Sequence, residues 1–440
     1  MNEFRFTTFQ IIAASFLALI LVGAFLLMLP ISSRTEGSAS FSDCLFTATS
    51  AVCVTGLVVR DTAVYWTPFG QMIIMILIQI GGLGVITAAL SIIYFSGGKI
   101  TLMQRITMQE SIAAPQIGGI TQLAKFIVIT AFLIEAFGML LLFPVFFHDF
   151  GFLRGVWYSV FHSVSAFCNA GFDLMGHQGE FSSVTGYSQN VLINLALIIL
   201  ITLGGIGFLV CNDIQIHRFS FRQYRLQSKI VITVSAFLIL LPFLWFFFFE
   251  LDDLPVHQRI LPSLLQSVTL RTAGFNSIDL AKTSGGGRAL MILCMLIGGS
   301  PGSTAGGMKT TTIAVLLLTT IAVFSRKDEV ECFGRRVSSD IIRNAVAIFV
   351  MYFVLFFVGA LTISRIESLP LLTCLFETAS ALGTVGLTLG ITPGLGHVSR
   401  VILIVLMFMG RVGGLTLIYA AHSARNRDYN KFPLEKIAVG

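Results

Sequence analysis

Charged side chains are scarce in this sequence. Asp, Glu, Lys and Arg make up 11% of its 440 residues, against 55% hydrophobic residues. Soluble domains carry about 25% charged residues, so an independent soluble domain is excluded. Paired cysteines are missing as well. Cys44, Cys53, Cys168, Cys211, Cys294, Cys332 and Cys374 show no paired or metal-binding spacing, which leaves them as small apolar packing residues. Clustered His, Asp and Glu are absent too: His162, His217 and His422 stand far apart. That argues against a membrane-embedded enzyme. No covalently bound cofactor and no nucleic-acid partner are expected.

Long apolar runs are what the chain has instead. Eight segments approach or exceed the roughly 20 residues needed to cross a bilayer: Thr8 to Pro30, Phe69 to Phe95, Gln122 to Phe147, Asn190 to Cys211, Lys229 to Phe249, Ala289 to Phe324, Ile341 to Ile363 and Val398 to Ala421. The first is too long for a signal peptide, and no small-residue cleavage site follows it. The chain reads as an all-α integral membrane protein with eight transmembrane helices. Basic residues gather on one side of this arrangement, in Lys99 to Lys125, Arg218 to Lys229, Arg326 to Arg343 and Arg425 to Lys436. By the positive-inside rule both termini are cytoplasmic, in a plasma-membrane protein. The outer face is left mildly negative, which concentrates cations there.

Between the apolar runs, one pattern occurs four times. Leu382 to Gly390 reads LGTVGLTLG; earlier echoes are VCVTGL at Val52 to Leu57, FCNAGF at Phe167 to Phe172 and LRTAGF at Leu270 to Phe275. Their glycines, Gly56, Gly171, Gly274 and Gly386, are separated by 115, 103 and 112 residues. Each follows a run too short and too polar to cross a bilayer: Phe41 to Val52, Gly155 to Phe167, Arg259 to Leu270 and Leu371 to Leu382. Such runs suit half-length helices that dip in and return. A large apolar residue, Phe46, Phe161, Leu264 or Phe376, stands ten positions before each glycine. A second mark keeps step in the following apolar segment: Gly81-Gly-Leu-Gly84, Gly204-Gly-Ile-Gly207, Gly298-Gly-Ser-Pro-Gly302 and Gly410-Arg-Val-Gly413. These glycines also suit close helix packing. Two motifs in step imply four internal span, pore-loop, span repeats, placed at 1–98, 99–213, 214–327 and 328–440, around a pseudo-fourfold central pore.

A cation entering a membrane must exchange its water for other oxygens, and rings of backbone carbonyls can supply them. Turning successive carbonyls inward needs dihedral angles that glycine alone adopts cheaply. One glycine at the same place in four loops meets that demand. The candidate filter is therefore Val54, Thr55, Gly56; Asn169, Ala170, Gly171; Thr272, Ala273, Gly274; and Thr384, Val385, Gly386. The side chains differ between loops, so shared coordination must come mostly from main chain. Arg271 would repel a cation, and is expected to point away and tie its loop to an acidic partner.

These loops and glycine-marked segments resemble the Trk/Ktr/HKT superfamily of potassium transporters, most of all the Ktr membrane subunit. The resemblance covers essentially the whole chain. It implies potassium as the transported ion, and in that family a glycine at the position of Gly56, rather than serine, accompanies potassium preference. It also implies a homodimer seated on a cytosolic ring of nucleotide-binding regulatory subunits. Ala289 to Phe324 is too long for one span, and Pro301 with its neighbouring glycines breaks it. The stretch 298–312 resembles the family's intramembrane gate loop, with Gly298, Gly299, Gly302, Gly306, Gly307 and Lys309 as gate residues. Arg411 is the buried charge expected to face the pore and bond the carbonyls of that loop, as the matching arginine does in the family. Met308 spoils the likeness of Gly302 to Thr310 to a phosphate-binding loop. The alternative function is a coupled symporter, with sodium as co-ion or activator or with protons; the scarcity of membrane carboxylates disfavours protons.

Overall fold

A computed structural model describes residues 7–34, 37–96, 98, 100–112, 118–218, 220–421 and 435. Arg5, Lys99, His422 and the basic residues Arg425, Arg427, Lys431 and Lys436 lie outside them. Helices dominate, and one order of elements recurs along the chain. A long apolar helix comes first: Thr8–Leu27, Ile120–Phe150, Leu226–Trp245 or Ser339–Glu367. Next comes a short helix: Phe41–Val52, Phe152–Phe167, Val256–Thr269 or Leu371–Gly383. A loop returns, and a broken helix follows.

The four long helices, the third extended to Glu250, are apolar and long enough to cross a membrane. They are hydrophobic nearly all round, with Leu133, Leu140, Phe353 and Val358 exposed. Side chains of this kind, left outward on a folded chain, need a hydrocarbon surrounding. The short helices behave oppositely and are buried along most of their length. Phe46, Phe161 and Phe376 are fully buried, and so anchor three of them. In the third the buried residue is Leu265, one place later than the expected Leu264, which is half-buried. The turn ending that helix is one residue shorter. The amide before each loop glycine bonds back to Ser50, Ser165 and Ser380 in three cases, six places before the glycine, but Ala273 N bonds to Thr269 O, five places before.

The second apolar segments are not continuous helices. Pro68–Leu83 and Val85–Tyr94 meet at 92°, and Val191–Ile206 and Phe208–His217 at 96°. The break falls on the last glycine of the register mark, Gly84 or Gly207, with φ +87° and +97°. Gly413, φ +90°, likewise separates His397–Val412 from Gly414–Ala421. The other glycines of the marks serve close approach. A Cβ on Gly81, Gly204 or Gly410 would stand 2.1, 1.9 or 2.1 Å from a carbonyl oxygen at the end of the preceding short helix, that of Val52, Phe167 or Leu382. The third segment is split more widely, into Gly285–Leu296 and Thr310–Phe324. The two ends of the described chain come together. Gln10 Nε2 donates to Ala420 O (3.1 Å), and Arg400 Nη1 pairs with Asp43 (2.9 Å).

Candidate functional site

Each short helix ends beside its loop glycine, and the backbone there repeats in detail. The residue two before the glycine has a left-handed conformation in all four loops: Val54 (φ +50°), Asn169 (+57°), Thr272 (+64°) and Thr384 (+52°). The glycines follow at +93°, +69°, +80° and +92°, while Thr55, Ala170, Ala273 and Val385 between them keep negative φ. Left-handed φ is costly for β-branched residues such as Val and Thr, so the fold must impose it. Alternating hands bring successive carbonyls to one side of a chain.

The four glycines form a closed cycle. A Cβ on Gly56 would lie 2.6 Å from Ala170 O, on Gly171 2.9 Å from Ala273 O, on Gly274 2.6 Å from Val385 O, and on Gly386 2.1 Å from Thr55 O. Each loop thus abuts the carbonyl that precedes the next loop's glycine, and the fourth returns to the first. No side chain fits at any of these points. All four glycines line one cavity of roughly 100 Å³, together with Val58, Asp173, Asn276 and Thr388, each two residues beyond its glycine. Asp61 reaches the same cavity. Thr55 Oγ1, Asn169 Oδ1, Thr272 Oγ1 and Thr384 Oγ1 are buried without a hydrogen-bond partner. The loops therefore offer an all-oxygen set, the chemistry of a hard cation.

Asp61 and Asp173 went unnoticed in the sequence, where each is a single acid near a glycine. Asp61 is saturated by the amides of Ala63, Val64 and Phe181 (2.9–3.0 Å). Asp173 accepts one, from Met175. Burial pushes the Asp173 carboxyl up to about 7, against the pull of the Met175 amide and with help from the Asp61 charge. None of the described residues supplies the acidic partner expected for Arg271. Its Nε and Nη2 are buried without partners, and its backbone is held from the neighbouring loop by Asn169 Nδ2, 3.1 Å from Arg271 O.

The segment 297–309 folds back on itself beneath these loops. Gly298 N bonds to Met308 O (2.7 Å) and Gly299 N to Gly306 O (3.2 Å). Left-handed Gly302 and Gly307 make its bends. It is attached to the register marks of the other units. Ser300 N bonds to Gly205 O and Thr304 N to Gly204 O, while Gly307 N bonds to Gly410 O and Phe208 N to Gly302 O. Arg411 completes the set, donating to Thr304 O, Gly81 O and Gly82 O. The expected bond to the loop is present, with two further acceptors from the first unit. Lys309 Nζ turns onto its own loop, to Ala305 O (2.8 Å) and Gly306 O (3.5 Å). Gly306 presses on the fourth loop: a Cβ there would stand 2.2 Å from Thr384 Oγ1. A larger cavity of roughly 330 Å³ lies below, lined among others by Gly84, Gly302, Lys309, Arg411 and Gly413. Glu135 stands behind the second loop, accepting from Gln79 Nε2 at 2.9 Å and from the Cys168 thiol at 4.0 Å.

Comparison with known proteins agrees with this architecture. The chain is 39% identical over 449 aligned residues to the potassium/sodium uptake protein NtpJ of Enterococcus hirae, with 99% of this chain and 98% of that one covered. It is 40% identical to the Ktr system potassium uptake protein B of Bacillus subtilis, covering 94% and 93%. The crystal structure of the potassium transporter TrkH from Vibrio parahaemolyticus has the same fold, with a TM-score of 0.74 at 20% identity over 95% of this chain and 85% of that one. The TrkH family, described as cation transport protein, matches residues 3–429. The chain belongs to this family of multi-pass membrane cation transporters, and it is not an enzyme.

Proposed function

We propose that this chain is the pore-forming subunit of a potassium uptake system. The closed cycle of four left-handed glycines carries this reading. A ring of carbonyls held at that closeness, with no room for side chains, suits a dehydrated monovalent cation. The relatives from Enterococcus hirae and Bacillus subtilis are both named for potassium uptake. In this reading the eight apolar segments are eight spans in four repeats around a pseudo-fourfold axis, with both termini cytoplasmic. Residues Val54 to Gly56, Asn169 to Gly171, Thr272 to Gly274 and Thr384 to Gly386 form the filter. The loop 298–312 with Arg411 is the gate. It obstructs the route at rest and yields when a cytosolic nucleotide-binding ring changes state. The word system in the Bacillus relative's name supports a partner component, and in this reading the pore subunit is a homodimer upon it.

Rescue of potassium-uptake-deficient cells at low potassium tests the reading, with Gly56→Ser as comparison. Rescue is expected for the native chain, with discrimination against sodium weakened by the substitution. Equal rescue with identical selectivity removes Gly56 from the filter. The second reading, a sodium-coupled or sodium-activated transporter, is favoured by one observation: the Enterococcus relative is named for potassium and sodium. Flux at clamped voltage with and without sodium separates the two.

A further inference from the structure

Behind each of the four loops stands one buried polar side chain at the same structural position. Counting nine residues back from the glycine gives Thr47, His162 and Glu377 in three units. In the third unit, whose turn is one residue shorter, the equivalent is Gln266, eight back. Their relative exposures are 1%, 1%, 0% and 0%. Membrane burial of four polar groups is costly unless each is hydrogen-bonded.

Two of the four are bonded to the limb of chain that leaves their own loop. His162 Nδ1 lies 2.7 Å from Tyr158 O, so this nitrogen carries the proton and donates. Nε2 is then the acceptor, and it receives the amide of Leu174 at 3.2 Å. Leu174 stands three residues beyond its glycine, on the limb that leaves the second loop. Glu377 accepts from the hydroxyls of Thr388 and, at 3.1 Å, Thr392. The other two make no bond to their loops among the described residues: Thr47 Oγ1 and Gln266 Oε1 are buried without a partner, and Gln266 Nε2 donates instead to Met291 Sδ at 4.0 Å. In the cycle of glycines, Gly171 neighbours Gly56 and Gly274, so Gly171 and Gly386 stand diagonally. The two loops bonded from this buried position therefore face each other across the cycle, while the first and third are held by other groups, Ser50 Oγ on the Gly56 amide and Asn169 Nδ2 on Arg271 O.

We infer that His162 and Glu377 are positioning residues that clamp the outgoing limbs of the second and fourth loops from behind and thereby set ion discrimination. The inference rests on the reading of the four loops as the filter. A clamp works by fixing where the Gly171 and Gly386 carbonyls point. A donor that has lost its buried acceptor must find another, and the limb shifts to do so.

The test measures potassium-to-sodium preference of the full-length transporter in vesicles, normalised to folded protein by size exclusion. His162→Phe and Glu377→Leu remove the acceptors; His162→Gln and Glu377→Gln keep one. Preference is expected to fall about fivefold to tenfold in the first pair, the worth of a single buried hydrogen bond, and to stay near native in the second. Thr47→Val and Gln266→Leu, which break no bond to a loop, are expected to leave preference unchanged. Should Glu377→Leu or His162→Phe fail to fold, the clamp is read in the native protein by hydrogen exchange. The Leu174 amide is then expected to exchange more slowly than the equivalent amides of Val59 and Ser277. Native preference in both apolar variants, equal loss in the glutamine variants, or equal exchange at the three amides overturns the clamp. Gly171→Ser and Gly386→Ser separate the two readings. If they shift preference while the clamp variants do not, only the clamp fails; if they too leave it unchanged, the filter reading fails first.

Discussion

Arg411 Nη2 sits 2.9 Å from the carbonyl oxygen of Gly82, in a register mark more than three hundred residues earlier in the chain. The same guanidinium donates to Thr304 in the loop of the third unit and to Gly81 in the first. In the proposed pore, a cation held there by backbone oxygens opposes the passage of other cations and tethers the loop. Arg411→Ala is expected to raise uptake at limiting potassium by roughly tenfold, equivalent to about 1.4 kcal/mol off the barrier. Unchanged uptake and unchanged selectivity count against both roles.

Gly386 has φ +92°, and a Cβ there would stand 2.1 Å from Thr55 O. Gly386→Ser forces strain of about 1–3 kcal/mol into the ring and is expected to cost potassium preference, measured as the ratio of rubidium to sodium uptake. Gly394 has open space around its missing Cβ and no left-handed angle. Gly394→Ala should leave that ratio as it is, so a general sensitivity to side chains near the mouth would show itself at once.

Asp173 is expected to make entry depend on pH. Its carboxyl, raised by burial to about 7, is largely neutral at pH 6 and largely charged at pH 8. The negative charge beside the loop glycines therefore appears as pH rises. Initial uptake at low potassium should increase over that interval, and Asp173→Asn should flatten the rise. Asp61, the other acid facing the cavity, already has three amide donors. A profile in Asp173→Asn as steep as the native one would assign the rise elsewhere.

Asp43 joins the beginning and end of the chain. Its carboxylate, 4% exposed, accepts from Arg60 and Arg400, both at 2.9 Å. Arg400 is also largely covered, at 17%. Removing one member of such a pair strands the other. Asp43→Leu is expected to destabilise the fold by about 3 kcal/mol, seen as a lower melting temperature in detergent. Arg60→Leu, on the exposed side of the pair, should cost under about 1 kcal/mol.

Much of this was legible in the sequence because the backbone writes its demands in glycine. Where a loop must turn left-handed, or one chain must touch another's carbonyl, no other residue serves, and so Gly56, Gly171, Gly274 and Gly386 stood out. The short helices were legible within a few residues, since their polarity and length excluded a span. The right-angle bends at Gly84 and Gly207 were not. A glycine at a helix break and one at a helix contact look alike in one dimension, and the register marks contain both. The shortened turn of the third unit was hidden for a similar reason: counting back from Gly274 gives Leu264, and only burial shows that Leu265 carries the anchor. Arg271 misled because a buried cation ordinarily finds an anion, and here none of the described residues supplies one.

The loop 297–309 is held by backbone groups belonging to all three other units. Four amide–carbonyl bonds and the Arg411 guanidinium join it to Gly81, Gly82, Gly204, Gly205, Phe208 and Gly410. At the helix breaks Gly81 O keeps the Gly84 amide as a second donor, while Gly204 O, Gly205 O and Gly410 O take theirs from the loop. Displacing the loop strips them, and the only replacement at that depth is water drawn up from the lower cavity. On the proposed gating reading, movement of this segment is a wetting transition. Each lost bond is exchanged for one to solvent, a near-even trade, so the dry and wet arrangements lie close in free energy. A dehydrating osmolyte, by withdrawing that water, should then hold the transporter in its dry arrangement without touching the protein at all.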